Sequence, residues 1–219
     1  MRNTIAIFFL LALIYICPHF VLAQSEDFID HFDDNRLTWS FPMSKKVQTR
    51  FEAGSLILKS QYKQEGYFVL RPIQRILARD FDMEVAIRQI GGAKNMAYGL
   101  CWGSNKSHSD FSGFFISSNG QYTILNCQSN FFQEVKRWTE SKSIVGQRKV
   151  NIMRVSRRGR KYQYYLNDQL VFVSHVKDMA GKEAGIVLYG KMQVEIDYFK
   201  VTYPDENFEA QMSEMIQND

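Results

Sequence analysis

The chain has 219 residues and a formal charge of +4, with acids and bases interspersed along it. That balance is too mild and too well mixed for a nucleic-acid-binding surface. Aromatic residues make up 14% of the chain, while proline occupies only 4 positions, a composition that suits strands carrying large side chains.

Taken from its start, the chain opens with Arg2, an apolar run from Ile5 to Ile16, and Val21-Leu22-Ala23. A positive flank, a short apolar core and a small-residue exit predict a secretory signal peptide over residues 1–23, too short to span a bilayer. A bulky Ile16 before Cys17 argues against a lipoprotein anchor. The reading divides the chain into the signal (1–23), one domain (24–203) and a polar tail (204–219). Phe208, Met212, Met215 and Ile216 in that tail suit either a short amphipathic helix or a frayed end. The signal takes only Arg2 with it, so the mature chain is one unit less positive. No second long apolar run follows, so no membrane span is expected. The product is exported: periplasmic, cell-surface or secreted.

Beyond the signal, period-2 alternation dominates. Ser55–Lys59 reads as a strand after an Ala53-Gly54 turn. From Asp80 to Arg88, Phe81, Met83, Val85 and Ile87 face one way, while Asp80, Asp82, Glu84 and Arg88 face the other. Met96–Trp102 follows, then a hairpin of Phe111–Ser117 and Gln121–Cys127 across Ser118-Asn119-Gly120. Lys149–Ser156, Lys161–Leu166 and Gln169–Ser174 form a meander, and Gly185–Tyr189 and Gln193–Tyr203 close the series. Many short strands separated by Gly and Asn turns predict an all-β fold, a two-sheet antiparallel sandwich.

Several motifs occur in a telling order. Phe28-Ile29-Asp30-His31-Phe32-Asp33-Asp34 and Trp39 come first. Tyr98 to Gly103 and Phe114 to Tyr122 stand mid-chain. Tyr164 to Val171, Gly185 to Tyr189 and Glu195 to Val201 come last. The series resembles the concanavalin A-like lectin/glucanase superfamily, in its laminin G-like and family 16 glycoside hydrolase-like branch of secreted bacterial proteins. The resemblance implies a jelly roll whose first and last strands lie side by side and whose concave sheet often holds a carbohydrate groove.

Glucanases of that superfamily carry three alternating acids on one strand, which period 2 places on one face. Asp80, Asp82 and Glu84 have the spacing but begin with the shorter Asp; their plain reading is the solvated face of an amphipathic strand, and catalysis is expected from them only if the chain is a divergent hydrolase. The closing Asp197-Tyr198-Phe199-Lys200-Val201 stretch, with Asp30 and Asp33 near the start, implies by the same resemblance a structural calcium ion; Asp197 otherwise caps or salt-bridges a strand end. No other cofactor is required.

Stacking platforms for sugars are exposed rings. Alternation sends Phe114, Ile116, Tyr122 and Ile124 to the core and leaves Phe111, Phe115 and Thr123 outside, beside the small Gly99, Gly113 and Cys101. Trp138, in a polar stretch, is a further candidate, although a tryptophan is more often a core plug. Cys101 and Cys127 fall on strands with one strand between them, roughly 9–10 Å apart, beyond the roughly 7 Å a disulfide allows. Free thiols are expected. The functional expectation is an exported, non-catalytic module that binds a glycan, or alternatively an envelope protein.

Overall fold

The computed structural model describes residues 27–73, 76 and 80–204. The expected signal and nearly all of the expected tail lie outside the described residues, which contain fourteen strands and no helix. Numbered along the chain, one sheet runs β12 (Gln169–His175), β11 (Lys161–Leu166), β10 (Asn151–Arg158), β5 (Phe81–Gly92), β14 (Met192–Thr202), β3 (Ser55–Ser60), β2 (Val47–Glu52). The second runs β4 (Gly66–Pro72), β13 (Glu183–Tyr189), β6 (Tyr98–Ser104), β7 (Phe111–Ser117), β8 (Gln121–Gln128), β9 (Phe131–Glu140).

The strand β14 organises the first sheet. One of its edges is fully paired with β5. The other is shared: β3 takes Met192 to Ile196, and β1 (Phe28–Asp30) takes Phe199 to Val201. The first and last strands therefore do lie side by side. A bulge falls at Asp197, between the Ile196↔Ile87 and Tyr198↔Ala86 pairs. One extra residue resets the alternation, so that Ile196 and Phe199 both reach the core.

The core forms where the inner faces meet. The expected stripe of Phe81, Met83, Val85 and Ile87 is buried from solvent and faces Tyr98, Leu100, Phe114 and Ile186 of the second sheet. Removing any one large ring here, such as Phe114, leaves a cavity and costs about 3–5 kcal/mol. Trp39 pins the first strand onto this core. Its indole N–H donates to Asp30 at 2.6 Å, and its ring meets Phe199 edge-on at 5.1 Å.

Turn chemistry follows the sequence with one correction. Asn167 and Asp168 both take positive φ, as a two-residue hairpin needs. At Ser118-Asn119-Gly120 only Gly120 does, at φ 95, and its N–H donates to the Ser117 carbonyl. This is a three-residue loop with its one left-handed residue at glycine.

Candidate functional site

Phe111 and Phe115 face outward from the second sheet as alternation requires, yet neither is exposed. Their relative exposures are 4% and 1%. Gly113 explains why. A Cβ there would lie 2.4 Å from the Phe115 ring, so the missing side chain lets the ring lie down on the sheet instead of standing off it. Tyr189 closes over Phe115 edge-on at 5.7 Å, and Phe68 packs against Phe111 at 5.3 Å. His108 stacks flat on Phe68 at 4.8 Å. Leu70, Cys101, Cys127 and Val187 complete a second apolar cluster on this outer face.

Two expectations are thereby corrected. Phe111 and Phe115 are core rings of that second cluster and present no stacking face to a ligand. Thr123 is buried too, and its hydroxyl donates to the Lys136 carbonyl at 2.8 Å, where β8 and β9 lose register. Trp138 is exposed and does not plug the core. Cys101 and Cys127 are free thiols on β6 and β8, with β7 between them. Burial pushes both thiols up from their ordinary value, which disfavours the thiolate a nucleophile needs.

Open surface with usable chemistry lies instead at the end of the second sheet. Inward-facing positions that are apolar at Phe114 and Ile124 become polar one pleat further on. Ser112, Asn126 and Gln133 sit in register across β7, β8 and β9. The Ser112 hydroxyl donates to Asn126 Oδ1 at 2.8 Å, and Lys177 Nζ donates to Gln133 Oε1 at 3.2 Å. Both amide oxygens are occupied, which leaves each amide its NH2 to donate. This row borders a cleft of about 300 Å³ bounded by Phe111, Asn126, Lys177, Asp178 and Met179.

The cleft's walls are tied in place. Asp110 accepts from Asn105 Nδ2 at 2.7 Å, from the Ser109 hydroxyl at 2.6 Å and from the Ser129 N–H at 3.1 Å. The Ser109 hydroxyl and the Ser129 N–H hold its carboxyl below the usual carboxylate value. Ser129 and Asn130 both take positive φ in a tight β8–β9 turn, which leads directly into Phe131 and Phe132 at the start of β9. They are 79% and 60% exposed and line a second hollow, which shares Gln128 with the cleft.

The acidic triplet lies on the other sheet. Asp82 and Glu84 face outward from β5, and Asp80 directly precedes the strand. Each is engaged by the protein. Both oxygens of Asp80 accept from the Gly159 N–H at 2.9 Å. Asp82 accepts from Arg158 at 2.7 Å and from the Ser156 hydroxyl. Glu84, only 6% exposed, accepts from the Tyr198 hydroxyl at 2.7 Å and Lys200 at 2.9 Å, with Arg154 at 3.7 Å.

The acids expected to hold calcium do not converge. Asp30 is committed, accepting from the Phe32 N–H at 2.7 Å and from the Trp39 indole. Asp33 approaches Gly54, while burial raises the Asp197 carboxyl against the pull of Arg88. Among the described residues no three acids, thiols or imidazoles form a metal cage. Asp30 caps the first strand and fixes it to Trp39.

Phe131, Phe132 and the polar row escaped the sequence reading because β9 lacks alternation. Its signal was the break in the core stripe, serine and asparagine where phenylalanine and isoleucine had stood.

No protein-family model matches the chain, and no curated protein matches it in sequence. Solved structures do match in fold. A carbohydrate-binding module from Bacillus subtilis superposes with a TM-score of 0.55 at 14% identity, covering 73% of this chain and 94% of that one. The catalytic domain of an endo-1,3-beta-glucanase (laminarinase) from Thermotoga petrophila gives 0.59 at 12%, covering 82% and 97%. A beta-glucanase from Bacillus licheniformis gives 0.59 at 7%, covering 81% and 98%. At such identities the likeness speaks for architecture: the chain shares the two-sheet antiparallel jelly-roll fold of these structures.

Proposed function

We propose that this chain is a non-catalytic glycan-binding module that takes its ligand at the end of the second sheet. One observation carries the reading: the cleft that Asn126 lines adjoins a hollow lined by Gln133 and the exposed rings Phe131 and Phe132, the two sharing Gln128. A sugar offers apolar C–H faces to rings and hydroxyl oxygens to donors, which is the chemistry this arrangement matches. The fold is shared with a carbohydrate-binding module and two glucanases, which supports glycan as the ligand class.

Binding without cleavage is favoured by the state of the acids. Glycoside hydrolysis needs two carboxyl groups flanking the bond, one of them able to give up a proton. In the cleft Asp110 is held ionised by its donors, which leaves Asp178 alone. On the other sheet, Asp82 and Glu84 are both paired with cations.

The test is retention on insoluble polysaccharides (β-glucans, xylan, mannan) together with a glycan array. Retention that falls at least tenfold in Phe131→Ala/Phe132→Ala is expected. A wild-type chain that retains nothing overturns the reading, and reducing sugar released from β-glucan overturns its non-catalytic part.

A further inference from the structure

We infer that the acidic tail beyond Pro204 covers one open sheet edge, crossing the end of the first sheet to dock on β12. A sheet edge offers unpaired N–H and C=O groups to any passing strand, and proteins blunt such edges with charge, bulges, proline or a covering segment. Of the four strands that end the two sheets, three are blunted. The β4 edge is bridged by Ser40 at Leu70 and ends in Pro72. β2 carries Arg50 and Glu52, while β9 carries Glu134, Lys136, Arg137 and Glu140 and twice shifts register. β12 is bare. Gln169 to Ser174 hold no charge, and Leu170 and Val173 are 52% and 42% exposed. The one register shift of β12 falls before Phe172, so Phe172 to His175 run regular. The Val176 N–H donates to the Arg160 carbonyl, and the alternation of antiparallel bonds then turns the N–H and carbonyl of Val173 away from β11.

Charge and reach select the tail as the occupant. Residues 205–219 lie outside the described residues; their sequence holds five acids and no base, with Phe208, Met212, Met215 and Ile216 among them. A row of paired residues leads from the end of β14 to the bare edge: Thr202, Asp82, Ser156, Gln163 and Val173. Its four strand spacings make about 19 Å. A segment of this length reaches that far even at the short rise of an α-helix, which gives about 22 Å. Beside this row the sheet end is basic, with Arg158 opposite Lys161, Lys161 opposite His175, and Arg160 at the turn. Arg158 is paired with Asp82, but Arg160 and Lys161 are exposed and have no ion-pair partner among the described residues. Asp205, Glu206 and Glu209 meet these cations first, and the apolar residues that follow reach Leu170 and Val173.

Carbodiimide coupling, which joins only amines and carboxyls in contact, tests this on a mixture of isotope-labelled and unlabelled chain. Lys161 is expected to couple to Asp205, Glu206 or Glu209 of its own chain, with a yield that falls about fivefold in high salt. Amide exchange across 169–175 is expected to quicken about tenfold in Asp205→Lys/Glu206→Lys/Glu209→Lys and in Met212→Ser/Met215→Ser/Ile216→Ser, while β13 stays unchanged. The charge-reversed variant is expected to self-associate in sedimentation, and adding Val173→Lys to return it to a monomer. Lys161 coupled to the tail of another chain, or a wild-type dimer that Val173→Lys dissociates, overturns self-cover in favour of a second copy on the edge. No coupling at Lys161, or exchange across 169–175 indifferent to both tail variants, overturns the docking outright.

Discussion

The two outer faces of this sandwich handle the same problem in opposite ways. The second sheet covers its outer face with rings that lie on the sheet and on each other, so Phe115 and Val187 are as buried as the inter-sheet core. The first sheet covers its outer face with cross-strand ion pairs. Arg154, Glu84 and Lys200 form one row in register across β10, β5 and β14, and Arg158 with Asp82 lies in another. An outward position in a strand therefore does not decide exposure. What lies beside it does: glycine next to Phe115 makes a second core, and arginine next to Glu84 makes a charged lattice.

The largest expected effect tests the first half of this contrast. Phe115→Ala should cost about 3–5 kcal/mol, the loss from emptying a core site, read as a drop in denaturant midpoint. A loss below about 1 kcal/mol with binding abolished would mean that Phe115 is a platform after all. Next comes Glu84→Gln, which keeps the size and the Tyr198 contact but leaves Lys200 and Arg154 facing each other. It should cost about 1–3 kcal/mol, being a mostly buried charge with two partners. Because the loss is electrostatic, it should shrink in high salt, whereas the Phe115→Ala loss should not. Equal salt responses would erase the distinction between the faces.

How far the sequence reaches differs between the same two faces. Where one face was apolar and the other polar, as in Phe81 to Arg88, alternation placed every side chain correctly. It failed in β4, where Tyr67 and Val69 point inward while Phe68 and Leu70 join the outer cluster. A strand buried on both faces has no period to read. It failed again in β9, an edge strand exposed along most of its length. The candidate site was less legible than the fold. Alternation aimed Phe115 outward correctly but carried no information on whether its ring stands up or lies down; that depends on Gly113 and Tyr189, the latter distant in sequence. The donor row likewise exists only through the β7–β8–β9 register.

A smaller effect belongs to the edge of the ring-covered face. Thr123→Val keeps the shape but removes the bond to the Lys136 carbonyl, at a cost of about 1 kcal/mol. Faster amide exchange should be confined to β9. Exchange spreading into β7 would mean that this bond holds the whole sheet and not only its edge.

The smallest effect is set at the Asp197 bulge, and its sign is the informative part. Burial raises this carboxyl in the folded chain, so the charged form is the less favoured one there. A group whose folded value lies above its unfolded value contributes stability that is full below the unfolded value and is lost as pH rises through the folded one. At neutral pH the ionised Asp197 therefore weighs against the fold. Asp197→Asn should be neutral to stabilising at pH 7, by under about 1 kcal/mol given its partial exposure, with the benefit fading below pH 4 as the native carboxyl takes up its proton. Thermal melts of both proteins across pH 3–8, with and without calcium and with chelator, decide the matter. A calcium ion held through Asp197 would reverse the sign, because the substitution would then remove a ligand, and chelator would lower the wild-type midpoint to that of the variant. The protein hydrogen bonds already made by Asp30, and the absence of a cage of acids among the described residues, favour the first outcome: a half-buried carboxyl that the bulge accommodates, not one that a cation requires.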